Sequence, residues 1–293
     1  MIPPLGLSSV QKMDILGIRM HCLSYQELYP IFDAWLADKT GRSHRFAMVN
    51  VNVCVSALLK PHLRALYNSA DIVGIDSMPF LKWARAFYRQ CADHLNAPDL
   101  LREVSSKAGA KGYTYFLYGG YPGAPDRIEE YLEQRYEGIN VVGKYSPTFR
   151  ALTKEEDDAI CDVINNAHPD FIWIGLGSPK QDIWIQDHLS RLKGSIIMPS
   201  GATFDFISGR MRAAPQWVRN LGLEWLYRLT QDFRRLWVRY TVFNLIFVLF
   251  FMLQLLHIVS FDSEGTMRIL GRQSRFGNVG TSQAKPGHAR SEH

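Results

Sequence analysis

The sequence has 293 residues, is 47% apolar and carries a formal net charge of +5 at neutral pH. This apolar content excludes an intrinsically disordered protein, and the length is sufficient for one large domain with appendages. The cysteines at 22, 54, 91 and 161 form no Cys-x-x-Cys pair, so we expect free thiols in a reducing compartment. The first residues contain neither a basic leader nor an apolar stretch of signal-peptide length, so we expect the main domain in the cytoplasm.

Short β-rich runs alternate with helical patterns from Met13 to about Pro199. Strands are predicted at residues 15–22, 45–50, 71–75, 113–118, 139–145, 171–175 and 195–199. Two capping boxes, Ser24 with Glu27 and Thr153 with Glu156, predict the starts of two helices. Because such alternation is typical of an α/β fold, residues 1–200 should form a Rossmann-like core with a mainly parallel sheet.

The pattern changes after residue 200. We interpret residues 201–240, rich in Trp, Arg and Leu, as a helical appendage. Residues 241–261 contain no Lys, Arg, Asp or Glu and are long enough to cross a bilayer, so we expect a membrane-associated or transmembrane helix. A buried helix hairpin or an oligomer interface is the alternative, because Asn244, Gln254 and His257 interrupt the apolar surface. Residues 262–293, rich in Gly, Ser, Arg and Gln, predict a disordered tail.

Arginines are concentrated in the appendage, where Glu224 and Asp232 are the only acidic residues between 210 and 239. Such clustering suits phosphates or anionic lipid head groups. No aromatic RNA-binding motif or zinc finger accompanies it, so we expect no nucleic-acid partner. An apolar appendage must be covered when it is off the membrane, so a homo-oligomer is a further expectation.

The sharpest motif is an apolar strand that runs into Gly175-Leu-Gly177 and then into a helix near Pro179. The glycines let the backbone approach a phosphate, the helix N-terminus has free N–H groups, and Lys180 and Gln181 add side-chain donors. The alternative is a glycine turn that serves only tight packing. The third glycine of the dinucleotide fingerprint is missing, which disfavours an oxidoreductase or epimerase, and we expect no cofactor.

A second glycine turn, Gly119-Gly120, also follows a predicted strand. It could line the same cleft or serve only as a turn, and we favour the cleft because ligands of open α/β sheets gather at the carboxyl ends of strands.

Polar residues end two further predicted strands. Asp76 is the best candidate for a general base, although residue chemistry alone favours a helix N-cap before Met78 and Pro79. Asn50 and Asn52 could hold sugar hydroxyls or act as turn and cap residues. No Asp-x-Asp pair occurs, so we expect no metal, and protein cations should stabilise a departing diphosphate.

Together these motifs resemble the WecG/TagA/CpsF family, glycosyltransferase family 26, over residues 15–240. The matching positions are Asn52, Asp71, Asp76, Asp99, Gly119-Gly120, the run from Gly175 to Gln181, Gly201-Ala-Thr-Phe-Asp205, Gly209, Ala214-Pro215, the run from Gly222 to Leu229, and Arg235-Leu-Trp-Val-Arg-Tyr240. The resemblance implies an inverting, metal-independent transfer of a sugar from a UDP-sugar to a polyprenyl-diphosphate-linked saccharide. It also implies a Rossmann-like core whose C-terminal appendage meets the cytoplasmic face of the plasma membrane and completes the active site.

The resemblance also assigns roles to residues. It places the catalytic base on Asp76, against the preference for a cap. The proposed donor-binding residues are Asn50, Asn52, Gly119, Gly120, Gly175, Gly177, Lys180, Gln181 and Asp205. The candidates for binding the diphosphate are Arg228, Arg235 and Arg239.

Several positions depart from the family pattern, namely Asn50, Ser77, Asp182 and Ala213. They leave the sugar open. The run from Asp76 to Phe80 resembles the exopolysaccharide branch, including the xanthan-type glucosyltransferase, so we favour glucose. Transfer of N-acetylmannosamine or its uronic acid is the alternative within the family. A non-catalytic membrane scaffold is the alternative from another class.

Overall fold

The structure is a computed structural model that describes residues 7–89, 92–148, 150, 152–262 and 266–269. The side chains of Ser8, Gln216, Arg235 and Arg239 lie outside that description. The strands are β1 Lys12–Ile15, β2 Ile18–His21, β3 His44–Val49, β4 Ile72–Ile75, β5 Thr114–Gly119, β6 Asn140–Tyr145, β7 Phe171–Gly175, β8 Ile196–Pro199, β9 Val259–Phe261 and β10 Met267–Ile269.

The helices follow in the same chain order, after a 3-10 turn at Leu7–Ser9. They are α1 Tyr25–Ala37, α2 Val51–Leu59, α3 Pro61–Asn68, α4 Met78–Phe87, α5 Ala97–Lys111, α6 Ala124–Glu133, α7 Lys154–Ala167, α8 Lys180–His188, α9 Gly201–Ile207, α10 Gln216–Leu221, α11 Glu224–Gln231 and α12 Phe233–Leu255. The capping boxes of α1 and α7 are formed as predicted, by Ser24 with Glu27 and by Thr153 with Glu156.

Among the described residues, six parallel strands form the central sheet in the order β4-β3-β8-β7-β5-β6. Alternate residues of each strand face opposite layers of helices. Phe171 and Trp173 of β7 pack in the core that includes α1 and α5, whereas Ile172 and Ile174 pack with α7 and α8. The predicted α/β fold with a parallel sheet is therefore confirmed, and all the carboxyl strand ends lie at one edge.

The single strand predicted at residues 15–22 is wrong. Two antiparallel strands, β1 and β2, form a hairpin in which Ile15 pairs with Ile18. Leu16 and Gly17 connect them with φ of 51° and 81°, as a two-residue hairpin turn requires. The apolar run hid this turn because leucine seldom adopts a positive φ.

The C-terminal apolar helix is present, and α12 continues through the boundary predicted at residue 240. By length and composition, Leu236–Leu255 could cross a membrane. After α12 the chain returns to form β9, which pairs with β10. Of the predicted tail, residues 263–265 and 270–293 lie outside the described residues.

Two glycine backbones touch at the carboxyl edge of the sheet. The N–H of Gly120 donates to the carbonyl of Gly175 at 2.9 Å. A Cβ on Gly119, whose φ is 120°, would lie 2.6 Å from the carbonyl carbon of Gly175. A Cβ on Gly175 would lie 2.4 Å from the ring of Phe204 on α9. The turn after β5, the turn after β7 and α9 are thus packed more closely than any side chain would allow.

We expect Gly119→Ala to lower the free energy of unfolding by about 2–4 kcal/mol, because the methyl group meets backbone atoms and the φ is unfavourable. Urea unfolding of the purified variant measures this loss. Gly41→Ala is the matched control, since Gly41 has a φ of 73° but nothing within 4 Å of an added Cβ, and it should cost only about 1 kcal/mol. Equal losses in the two variants would show that the backbone contact is unimportant.

Candidate active site

The centre of the candidate site is the Asp76 carboxyl group, which follows β4 directly. The N–H of Asp76 donates to the carbonyl of Val49 at 3.0 Å, so the pairing of β3 and β4 continues one residue past the strands. This register places Asn50 beside Asp76. The Nδ2 of Asn50 donates to Oδ2 of Asp76 at 2.8 Å, while its Oδ1 caps α2 by accepting the Val53 N–H at 3.1 Å.

The Asp76 carboxyl group is partly exposed, and its pKa is raised. Burial raises its pKa to about 6, although the charge of His94, the hydrogen bond from Asn50 and the charge of Arg228 each lower it. Glu224 raises it further. At neutral pH the group is therefore mostly ionised and has more affinity for a proton than an exposed aspartate, as a general base requires.

His94 acts electrostatically on Asp76 and lies near a second aspartate, Asp99. Nδ1 of His94 lies 3.7 Å from Oδ2 of Asp99. Asp99 also receives a hydrogen bond of 2.8 Å from Arg219 of α10. Burial raises the pKa of Asp99, but the nearby His94 and the hydrogen bonds from Asn96 and Arg219 outweigh burial and hold this pKa far below its usual range.

The appendage adds a cation to the same site. Arg228 of α11 pairs with Glu224 and stacks on the ring of Phe206 at 4.7 Å. Its Nε is buried and has no hydrogen-bond partner in the described part of the chain. The charge of Asp76 contributes to the raised pKa of this guanidinium, so the two groups interact. The side chains of Arg235 and Arg239 lie outside the described residues.

The glycine turns are held together by Gln181. Its Oε1 accepts the N–H of Gly177 at 3.0 Å and the N–H of Gly201 at 3.1 Å. Nothing lies within 4 Å of a Cβ built on Gly177, so a ligand can reach this backbone. The Gln181 carbonyl thus shapes the turns, and its amide nitrogen is the part that could meet a ligand.

The other predicted donor-binding residues are spread along the same edge. Lys180 is exposed at the start of α8. The Oδ1 of Asn52 is buried and, within the described chain, has no hydrogen-bond partner. Asp205 lies on α9, with Arg210 at 3.6 Å. Asp182, next to Gln181, accepts hydrogen bonds from Ser178 at 2.6 Å and from Tyr67 at 3.1 Å and so braces the turn after β7.

Sequence reasoning missed His94 and Arg219 as neighbours of the site. His94 lies on the irregular segment between α4 and α5, and Arg219 is on the appendage. The only local signal was Asn96, which caps α5 by accepting the Asp99 N–H at 2.9 Å. A capping asparagine indicates a helix start and does not by itself indicate what lies beside it.

The described residues contain no group of three or more His, Cys, Asp or Glu side chains arranged to hold a metal ion. The chemistry available at the edge is that of a partly exposed base, Asp76, with the His94 imidazole and the Arg228 guanidinium nearby. This combination can remove a proton from a hydroxyl group and stabilise negative charge on a leaving group.

Residues 13–259 match the sequence profile of the glycosyl transferase WecG/TagA/CpsF family. The match covers the central sheet, the appendage and α12. It therefore includes every residue described above at the candidate site.

We expect Asp76→Asn to be more stable than the wild type at pH 7.5 by about 1–3 kcal/mol. Folding raises the pKa of this carboxyl group from 3.8 to about 6, so its contribution to stability is present below about pH 3.8 and is lost as the pH rises to about 6. The side-chain amide of the Asp76→Asn variant does not ionise, so the variant does not lose this stability as the pH rises. Urea unfolding at pH 7.5 and at pH 4 measures the difference, which should shrink at the lower pH.

Asp187→Asn is the control, because it makes the same chemical change at an aspartate that is exposed on α8. It should leave stability within about 0.5 kcal/mol at both pH values. A gain for Asp76→Asn that is identical at pH 4 and pH 7.5 would contradict the assignment of a buried charge.

Proposed function

The chain belongs to the WecG/TagA/CpsF family of glycosyltransferases, and from this membership we propose that it transfers a hexose, glucose being favoured, from a UDP-sugar to a polyprenyl-diphosphate-linked saccharide. The family takes a nucleotide-sugar donor and a saccharide acceptor. The proposed setting is exopolysaccharide biosynthesis. The observation that carries the proposal is the partly exposed Asp76 carboxyl group at the carboxyl edge of the sheet, with a pKa of about 6 and within the electrostatic influence of Arg228 of the appendage.

The proposed reaction is a single displacement with inversion at the anomeric carbon. Asp76 takes the proton of the acceptor hydroxyl group as its oxygen forms a bond to C1 of the donor sugar. The bond between C1 and the diphosphate oxygen breaks, and its electron pair leaves with UDP. Arg228 stabilises the charge that develops on the diphosphate, a role that we extend to Arg235 and Arg239 from their positions in the sequence.

The glycine turns support a donor site at the same edge. The bare backbone at Gly177 and the N-terminal turn of α8 can approach a diphosphate, and the exposed Lys180 supplies a positive charge. The N–H groups of Gly177 and Gly201 already donate to Oε1 of Gln181. We therefore expect Lys180, the amide nitrogen of Gln181 and the arginines of the appendage to bind the phosphates.

The membrane is the proposed location of the acceptor, and α12 supports contact with it. One face of α12 packs on the core: Phe247 meets Phe80 at 5.4 Å, and Phe251 meets Trp83 at 5.3 Å between ring centroids. The opposite face is exposed along its length. Its apolar side chains are Val238, Val242, Leu245, Val248, Leu249 and Met252, and Leu256 directly after the helix continues this face.

Contacts near the C-terminal end of α12 favour a helix that lies in the membrane interface over one that crosses the bilayer. Near its end, Gln254 accepts the Leu16 N–H at 2.8 Å and donates to Oδ1 of Asp14 at 3.0 Å. Beyond it, Val259 is buried and Phe261 lies beneath Arg64, at 5.2 Å. The C-terminal end of α12 and the chain that follows it thus stay on the core, and crossing would require these contacts to break. We place this surface on the cytoplasmic face of the plasma membrane.

We expect Asp76→Asn to lower kcat by about 10²–10⁴-fold, because it removes the proton acceptor. Detergent-purified protein is given a polyprenyl-diphosphate-linked mono- or disaccharide and UDP-glucose, UDP-N-acetylmannosamine or its uronic acid, with EDTA present, and UDP release is followed. Release that needs both one donor and the lipid acceptor is the expected result. Asp187→Asn should keep wild-type turnover.

Wild-type turnover by folded Asp76→Asn would remove Asp76 from the role of base. Silence with every donor, together with no binding of any UDP-sugar, would favour the membrane scaffold. Release with UDP-N-acetylmannosamine alone would move the assignment to the other branch of the family.

We expect Leu245→Lys with Leu249→Lys to weaken binding to vesicles that contain anionic lipid by about tenfold or more, because two charges replace apolar side chains that would lie in the interface. Vesicle sedimentation measures binding. Val163→Lys is the control, since Val163 is 52% exposed but lies on α7, which packs with α8 on another part of the sheet. Equal binding by the double variant and the wild type would show that α12 does not contact lipid.

A further inference from the structure

An aromatic stripe runs along α4, the helix of the core that follows Asp76. Phe80, Trp83 and Phe87 are spaced so that they lie on one side of this helix. The rings of Trp83 and Phe87 are 4.2 Å apart between their centroids. Exposure increases along the stripe, because Phe80 is buried, Trp83 is half-buried and Phe87 is 65% exposed. A large apolar side chain therefore leaves the core at the end of α4.

The helix α12 covers the first part of this stripe. Phe80 packs against Phe247. Trp83, one turn later on α4, packs against Phe251, which is one turn later on α12, so the two helices run side by side in the same direction. Leu255 follows Phe251 by one further turn on the same side of α12, and it is exposed. The last ring of the stripe thus lies at the border of the exposed face of α12.

The two features form one apolar surface, which we call the α4–α12 surface. It consists of Phe87 and the exposed apolar side chains of α12, which were given above as a face of that helix. The part contributed by α4 belongs to the core and not to the appendage. A partner of α12 therefore meets the core at this point.

The charged residues of both helices are basic, since neither α4 nor α12 contains Asp or Glu. On α4 these residues are Lys82 and Arg85, and both are exposed. Arg85 is paired with Asp93 at 3.4 Å, so Lys82 is the cation of α4 that can meet an anionic head group. Exposed apolar side chains combined with basic charges are typical of helices that lie on membranes containing anionic lipid.

A second copy of the chain fits the α4–α12 surface less well than a bilayer does. In a two-fold dimer the same surface of each copy would meet, so basic residues would face basic residues with no carboxylate of either helix between them. Anionic lipid head groups supply the negative charge that both helices lack. The charge of the surface therefore favours lipid as its partner.

We propose that α4 lies on the membrane together with α12, with the ring of Phe87 inserted among the lipid head groups. This inference rests on the proposed membrane contact of α12. Because α4 spans 10 residues and begins at Met78, directly after Ser77, Phe87 lies about 15 Å along the helix from Asp76. A rigid element of the core thus fixes how far the base stands from the membrane surface.

Vesicle sedimentation of the purified full-length protein tests the proposal, with vesicles of equal parts of phosphatidylcholine and phosphatidylglycerol. We expect Phe87→Glu to weaken binding by about tenfold or more, because the variant loses an inserted ring and adds a negative charge. Phe87→Trp keeps an aromatic ring and should bind within about twofold of the wild type. Val163→Glu is the matched control, since Val163 is exposed on α7, and it should bind like the wild type.

The charge of α4 has a separate test. Lys82→Gln should weaken binding to the same vesicles by about fivefold, and it should leave binding to pure phosphatidylcholine vesicles unchanged. An equal loss on both kinds of vesicle would contradict an interaction of Lys82 with anionic head groups.

Equal vesicle binding by Phe87→Glu and the wild type would overturn the proposal. If Leu245→Lys with Leu249→Lys still lost binding, α12 alone would contact lipid. Sedimentation velocity without lipid examines the second copy: a dimer that Phe87→Glu dissociates, with vesicle binding unchanged, would assign the surface to self-association and overturn the lipid contact.

The binding assay needs no turnover, so its result is independent of the proposed transfer reaction. Weakened binding by Phe87→Glu would support the α4 contact even if no donor gave UDP release. No binding of the wild type to either kind of vesicle would overturn the membrane contact of both helices, whatever the donor assay shows.

Discussion

The contact between the backbones of Gly119 and Gly175 is the constraint on which the shape of the sheet edge depends. It lets the turns after β5 and β7 lie closer together than side chains would permit, and the ring of Phe204 fills the space against Gly175. Gln181 then joins the turn after β7 to the start of α9 through two backbone N–H groups. Because these turns are fixed as a unit, the backbone at Gly177 can stay open without the edge collapsing around it.

At the opposite end of this edge the constraint is electrostatic. Burial of Asp76 works against the stability of the folded chain at neutral pH, because a carboxylate prefers water. The structure reduces this cost with Asn50, His94 and Arg228, which come from a strand end, an irregular segment and the appendage. A charge that is expensive to bury and that three separate elements surround is typical of a functional site.

The appendage and α12 connect this site to the exposed apolar surface. Arg219 reaches Asp99 and Arg228 reaches the neighbourhood of Asp76, so the appendage completes the charge distribution around the base. The following helix, α12, packs on the core through Phe247 and Phe251 and leaves its other face exposed. In the proposed function, a single continuous segment therefore links the base to the surface that meets the lipid-linked acceptor.

The sequence by itself determined the local elements. The period of apolar residues gave the strands of the central sheet nearly to the residue, the capping boxes gave the starts of α1 and α7, and the lack of charge after Thr241 gave the apolar helix. It also placed Asp76 at the carboxyl end of a strand, where parallel sheets bind ligands. These features depend on contacts within a few residues of one another, which is why a pattern in the sequence can reveal them.

Only the tertiary structure decided the rest. The strand order, the Leu16-Gly17 hairpin turn, the use of Gln181 as a brace for two turns and the placement of His94 beside Asp76 do not follow from any local pattern. Each depends on groups that are distant in sequence or, at the hairpin, on a backbone conformation that the residue type disfavours. Burial and the charges of distant side chains set the acidity of Asp76, and both exist only once the chain has folded.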